Sequence, residues 1–368
     1  MIQTLIVDDS ALARDILRDF LEAEGSFKII GEAADGEEGI EKILALHPDL
    51  VTLDVEMPKK NGLEVIKAVM QKTFVPIVVI SSQDTAKTAY EATLLGALEF
   101  YAKDTFTASL SPDKQRQIYE TLKRISGVKA QQCSAAAVAA MPQPLPGSVP
   151  VEKSGDSQLH AAMQSHAAMH VQNSVAKRKV DMVVIASSTG GPKALSKFCA
   201  LLPADFPVPI VIVQHNSTGF DKSFAQWLDT YTPLAVKVAE EGEVPKAGTI
   251  YIAQTDRHLL VRGSAGQSCT LYHNDEEPDN NQKPSANILF KTAAQSLKQS
   301  VISVVLTGMG SDGASGTQEV RKMGGITLAQ NEETSLIYGM PKAAAETGCV
   351  DIVLPLEKIP EELVRLTQ

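Results

Sequence analysis

Met182-Val183-Val184-Ile185-Ala186-Ser187-Ser188-Thr189-Gly190-Gly191-Pro192 decides how this chain is read. A short apolar, β-branched run bounded by small residues, glycines and a proline is the pattern of a buried strand entering a tight turn. Proline suits the first helical turn, because its missing N–H would be unpaired there anyway. Two later stretches repeat the theme. Ile210-Val211-Ile212-Val213 leads to His215, and Ile302-Ser303-Val304-Val305-Leu306 leads to a glycine-rich turn holding Asp312. Three strands thus each deliver one member of a Ser, His, Asp set at the carboxyl end. Strands are expected at 182–186, 209–213, 301–306 and 326–329. Helices are expected after Pro192, near Trp227, from Ala286 to Leu297, around Val320 and from Pro341. That alternation implies a doubly wound, mostly parallel α/β domain. Thr249–Ile252, His258–Val261 and Cys269–Tyr272, separated by turn-prone residues, read as an antiparallel hairpin region grafted on the parallel sheet.

Upstream the same rhythm appears in a smaller unit. Leu5-Ile6-Val7, Ile29-Ile30, Leu50-Val51-Thr52-Leu53, Val78-Val79-Ile80 and Phe100-Tyr101-Ala102 read as strands. Helical spacing follows in Leu12 to Leu21 (with Ser10 as N-cap), Ile40 to Leu44, Leu63 to Val69 and Ile118 to Ile125. Five βα repeats imply a flavodoxin-like (βα)5 unit over 1–124. Residues 125–178 differ: an alanine run, Pro142, Pro144, Pro146 and Pro150, then a polar stretch with His160, His166 and His170. This composition predicts a flexible linker. No carboxylate or thiol cluster accompanies the three histidines, so solvated linker is preferred to a metal site. The catalytic domain is then expected over 179–368.

The composition excludes several classes. No apolar run approaches the ~20 residues of a membrane span, and the N-terminus has no basic segment, so neither direct membrane insertion nor secretion is expected. Four widely spaced cysteines form no CxxC, as in a reducing compartment. A net charge of −10 opposes binding along a nucleic-acid backbone.

The smaller unit carries a carboxylate pocket. Asp8 and Asp9 end the first strand and Asp54 the third, at the edge where open parallel sheets bind ligands. Converging carboxylates repel, and a hard cation such as Mg²⁺ relieves that repulsion. Ser81 ends the fourth strand and Lys103 follows the fifth. A phosphoryl group on Asp54 would suit this rim, with Mg²⁺ and Lys103 neutralising its oxygens and Ser81 donating a hydrogen bond. Val7-Asp8-Asp9-Ser10, Leu53-Asp54-Val55-Glu56-Met57-Pro58 with Gly62, Ser81-Ser82 and Lys103 resemble the receiver domains of two-component response regulators. The resemblance implies that Asp54 accepts phosphate from a histidine kinase, that the Glu56 backbone carbonyl joins Asp8, Asp9 and Asp54 on the metal, and that Phe100 holds the aromatic switch position. Asp104 stands where that family has proline after the lysine.

In the larger unit Ser188 needs a base, for which His215 is the candidate, and the base needs an orienting acid, for which Asp312 is the candidate. The order Ser, His, Asp differs from that of α/β-hydrolases, but geometry rather than order defines a triad. Ala186-x-Ser188-x-Gly190 resembles a nucleophile elbow, and the Thr189 N–H at the helix start suits an oxyanion. From the residues alone Ser187 stays a rival nucleophile, and His215 and Asp312 could each be structural. Ser188-Thr189-Gly190-Gly191-Pro192, Val213-Gln214-His215, Tyr251-Ile252-Ala253 with His258, Pro284-Ser285, Leu306 to Gly313, and Ala329-Gln330-Asn331 with Gly339-Met340-Pro341 resemble the catalytic domain of chemoreceptor protein-glutamate methylesterases, the CheB family. The resemblance assigns the nucleophile to Ser188, the base to His215, the acid to Asp312 and a second oxyanion donor to the Met309 N–H. Where that family commonly reads Gly-Ala-Ser, this chain has Ala186-Ser187-Ser188.

The expected activity is therefore a phosphorylation-regulated hydrolase. It would remove methyl esters from glutamates of methyl-accepting chemoreceptors in the cytoplasm and extend to glutamine deamidation. A chemotaxis histidine kinase would be the phosphodonor, and the esterase reaction itself would need no cofactor. The resemblance also implies that the unphosphorylated receiver obstructs the active-site cleft. The rivals are a non-catalytic response regulator, a DNA-binding output opposed by the acidic balance, and a hydrolase of the same fold acting on another protein ester.

Overall fold

The computed structural model describes residues 1–82, 86–106, 110–128, 179–264 and 268–368. Most of the expected linker, with its three histidines, lies outside the described residues. The first unit runs β1 (Ile2–Val7), α1 (Ala11–Ala23), β2 (Phe27–Ala33), α2 (Gly36–Leu46), β3 (Leu50–Leu53), α3 (Gly62–Met70), β4 (Ile77–Ser81), α4 (Ala86–Leu95), β5 (Glu99–Ala102) and α5 (Pro112–Ser126). Its sheet has the order β2-β1-β3-β4-β5, with every pairing parallel. β3 and β4 are buried along their whole length, which explains why they read as continuous apolar runs without alternation. Local signals set the helix starts. Ser10 caps α1 through the Ala13 N–H, Asp35 caps α2, and Asn61 with Glu64 forms a capping box on α3.

The second unit runs β6 (Met182–Ser187), α6 (Gly191–Ala200), β7 (Ile210–Gln214), α7 (Asp221–Asp229), β8 (Ala235–Val238), β9 (Thr249–Ile252), β10 (His258–Arg262), β11 (Thr270–Asn274), α8 (Ala286–Leu297), β12 (Val301–Val305), α9 (Ala314–Lys322), β13 (Ile326–Gln330), α10 (Met340–Glu346), β14 (Ile352–Leu354) and α11 (Ile359–Thr367). The main sheet has the order β14-β13-β12-β6-β7-β9-β8 and is parallel throughout. Thr249–Ile252 therefore corrects the expectation of a three-strand antiparallel region. It pairs in parallel with β7 and β8, and only β10 and β11 form an antiparallel ribbon. The strands β8 and β14 and the helix α11 carried too weak a pattern to be anticipated. β14 has three half-buried or exposed residues at the sheet edge.

Helix α4 also escaped the sequence reading, and it joins the two units. It packs on its own sheet and on α6 and α7, so apolar residues occupy more than one face and no clean stripe appears. Tyr90 is fully buried there. Its ring lies 4.7 Å from Phe100, 5.2 Å from Phe224 and 5.2 Å from Trp227. Its hydroxyl donates to the Phe220 carbonyl at 3.1 Å, which satisfies that buried polar group.

Candidate active site

The central strands of the larger sheet position the site. β6 lies between β12 and β7, and Ser187 pairs in register with Gln214. Ser188 and His215 are therefore the next residues on neighbouring strands, and the His215 N–H donates to the Ser187 carbonyl at 3.0 Å. Leaving the sheet, Ser188 donates its N–H to the Thr307 carbonyl at 3.1 Å. The turn after Ser188 requires Gly190 at φ +77°, a left-handed conformation that strains other residues. Gly308, in the turn after β12, abuts Ser188: a Cβ there would lie 2.8 Å from the Ser188 Cβ.

His215 Nε2 lies 2.8 Å from Asp312 Oδ2. Since the carboxylate accepts, Nε2 carries the proton, and Nδ1 is left as the nitrogen able to act as base. Nδ1 is buried without a hydrogen-bond partner. The contact between His215 and Asp312 is thus formed, and no hydrogen bond joins Ser188 to His215. Such links are often open before substrate arrives.

Asp312 is held from all sides. Oδ1 accepts from the Ser285 hydroxyl at 2.8 Å and the Asn287 N–H at 2.9 Å. Oδ2 accepts from the Ala286 N–H at 2.7 Å as well as from His215. Burial alone would push this carboxyl up, but the His215 bond and charge, with the N–H groups of Ala286 and Asn287, bring it below the ordinary carboxylate range. Sequence reasoning gave no role to Ser285 or Asn287. Pro284-Ser285 stood among the matching segments, but its carboxylate partner lies on a distant loop.

Ser188, Thr189, His215 and Met309 line one cleft of about 800 Å³ together with Glu99 and Thr121 of the smaller unit. The Thr121 hydroxyl, which donates to the Gln117 carbonyl at 2.8 Å, lies 3.1 Å from the Met309 sulfur. The Thr189 hydroxyl bonds the half-buried Glu99 carboxyl, which burial raises to about 7 against the lowering influence of Thr189 and His215. The rival nucleophile Ser187 is fully buried and donates to Gln214 Oε1 at 2.7 Å, so it is shut away from the cleft.

In the smaller unit, ligand atoms of Asp8, Asp9 and Asp54 lie within 4.8 Å of one another. Lys103 Nζ bridges Asp54 at 2.7 Å and Asp8 at 2.9 Å. Burial raises the Asp54 carboxyl, and Asp8 adds to this while Lys103 opposes it. Ser81 is buried at the end of β4, and Glu56 lines the opening with Asp9. A cluster of hard oxygen donors beside a fixed ammonium fits a Mg²⁺ ion retaining its own waters.

Both units match known families. The family model for the CheB methylesterase matches residues 183–363, and that for the response regulator receiver domain matches residues 4–111. The protein-glutamate methylesterase/protein-glutamine glutaminase of Pyrococcus horikoshii is 38% identical over 370 residues, covering 100% of this chain and 94% of that one. The protein of the same name from Thermotoga maritima is 36% identical over 369 residues, covering 100% and 98%. The crystal structure of the Thermotoga maritima CheB methylesterase catalytic domain aligns with 51% of this chain and 100% of its own, with a TM-score of 0.50 and 43% identity.

Proposed function

The chain belongs to the protein-glutamate methylesterase/protein-glutamine glutaminase family, and on that premise we propose that Ser188, His215 and Asp312 carry the reaction on glutamate methyl esters of chemoreceptors. Ser188 Oγ attacks the ester carbonyl while His215 Nδ1 takes the hydroxyl proton. Asp312, bonded to Nε2–H, steadies the imidazolium that forms. The N–H groups of Thr189 and Met309 receive the oxyanion. The imidazolium then returns its proton to the departing methoxide, which leaves as methanol. Water, deprotonated by the same nitrogen, cleaves the acyl-enzyme to glutamate and free Ser188. A glutamine side chain follows the same path with ammonia leaving, and its poorer leaving group makes protonation by His215 more necessary.

Asp54 is the phosphoryl acceptor in this reading. Asp8, Asp9, Asp54 and the Glu56 carbonyl would hold a Mg²⁺ ion, which would neutralise phosphoryl charge, while Lys103 and Ser81 would hold the remaining oxygens. A histidine kinase of the chemosensory system supplies the phosphate in the cytoplasm. Among the described residues no helix is long and apolar enough to cross a membrane. The resting receiver restricts the cleft through α4, β5 and α5, and phosphorylation weakens that packing.

The observation that carries the reading is the 2.8 Å bond between His215 and a fully anchored Asp312 beside Ser188. The test is methanol release from methylated receptor membranes. The wild type releases methanol, and Ser188→Ala releases none above background. Equal release by both would overturn the assignment.

A further inference from the structure

We infer that Gln214 is a positioning residue for the acyl transfer, a staple between nucleophile and base, and that Ser187 holds the staple in place. The inference rests on the reading of Ser188 and His215 given above.

Gln214 ends β7 with 3% exposure, and Ser187 is fully buried beside it on β6. The two N–H bonds of the Gln214 amide go to two different reacting residues. Nε2 donates to the Ser188 carbonyl at 3.1 Å and to the His215 carbonyl at 2.9 Å. Oε1 accepts from the Ser187 hydroxyl at 2.7 Å. Every polar atom of the amide is thereby used, and the reversed orientation would set its oxygen against two carbonyl oxygens. The hydroxyl of Ser187 thus has a task that needs no access to substrate.

The sheet alone does not hold the two residues at a set spacing. The His215 N–H to Ser187 carbonyl bond is the last rung between β6 and β7, and beyond it the strands part. The staple bonds both residues past that point, from a side chain that cannot move away. Gly191 belongs to the same arrangement. A Cβ at that position would lie 1.9 Å from Gln214 Oε1, so only glycine lets the amide sit against the start of α6. A triad whose members must stay within about half an ångström of the working geometry needs such support.

The experiment uses the full chain with Gln214→Met, which keeps the length but removes both donors, and Ser187→Ala, which keeps the backbone and most of the volume. Reactive Ser188 is counted by exhaustive labelling with a fluorophosphonate, and the labelling rate is recorded. Methanol release is then expressed per labelled site. Gln214→Met is expected to lower kcat per site about tenfold to a hundredfold, with KM within about twofold and labelling slowed in parallel. Ser187→Ala is expected to lower kcat about threefold to tenfold by loosening the amide. A side chain that only supports the fold would reduce the number of labelled sites, leaving the rate per site unchanged. Rates per site within about twofold of wild type in both variants would overturn the staple alone, provided Ser188→Ala is inactive. Methanol release that survives Ser188→Ala would overturn the nucleophile assignment and the staple with it.

Discussion

Replacing Glu99 by glutamine is expected to make the resting enzyme slower above neutral pH and to leave it unchanged in mild acid. Glu99 begins β5, accepts from the Phe100 N–H at 3.1 Å, and bonds Thr189 next to Ser188. Burial between the two units raises its carboxyl from 4.5 to about 7. The packed interface therefore holds a proton that the opened form releases. Its proton-linked stability is full below 4.5 and is lost as pH rises through about 7. The rise corresponds to at most about 3 kcal/mol. Solvent reaching this half-buried group at the cleft rim reduces that to about 1–2 kcal/mol, or roughly tenfold in the opened fraction. On the proposal that the basal rate follows the opened fraction, the wild type should gain about tenfold between about pH 5 and pH 8 beyond what the chemistry contributes. Glutamine keeps the hydrogen bond to Thr189 but cannot ionise. Methanol release is measured without phosphodonor across this range. The ratio of wild type to Glu99→Gln cancels the triad's own pH dependence. It should be near one at about pH 5 and near ten at about pH 8. A ratio that stays flat would refute the idea that Glu99 ionisation opens the interface.

Asp312→Asn should lower kcat by about 10³ to 10⁴, since an amide cannot meet the surrounding donors and hold His215 in the Nε2–H form. The Asp312 carboxyl is depressed in the fold, so its contribution to stability is present above 3.8 and lost as pH falls through its lower folded value. Wild-type melting temperature should accordingly fall more steeply than that of Asp312→Asn in strong acid. Asp54→Asn should retain basal methanol release and lose kinase-dependent stimulation; stimulation that persists would move the phosphoacceptor elsewhere. Asp9→Asn, at an exposed position, should raise the Mg²⁺ concentration needed for phosphorylation by a small-molecule phosphodonor, with basal methanol release unchanged.

Much of the architecture was legible because its strands are buried on both faces. Val183-Val184-Ile185 and Ile210-Val211-Ile212 show no exposure, so they stand out as apolar runs whose carboxyl ends carry Ser188 and His215. β9 misled for the same reason in reverse. A four-residue apolar segment says that it is buried but does not say which neighbour it pairs with. Beside two strands that do form a ribbon, it looked antiparallel. Helix α4 was hidden because its residues answer to two units at once, and Tyr90 means little until Phe220 and Trp227 are brought to it from 130 or more positions away.

By itself the chain determined its local chemistry: hydroxyl, imidazole and carboxylates at strand ends, glycines where backbone must turn, and a family resemblance carried by contiguous motifs. Only the tertiary structure decided which ring nitrogen of His215 is spent on Asp312, that Ser285 and Asn287 anchor that carboxylate, that Gln214 bonds the carbonyls of both Ser188 and His215, and that Glu99 stands in the cleft. These depend on distances between residues far apart in sequence. Hydrogen-bond direction and desolvation are properties of the assembled neighbourhood, and no linear spacing encodes them.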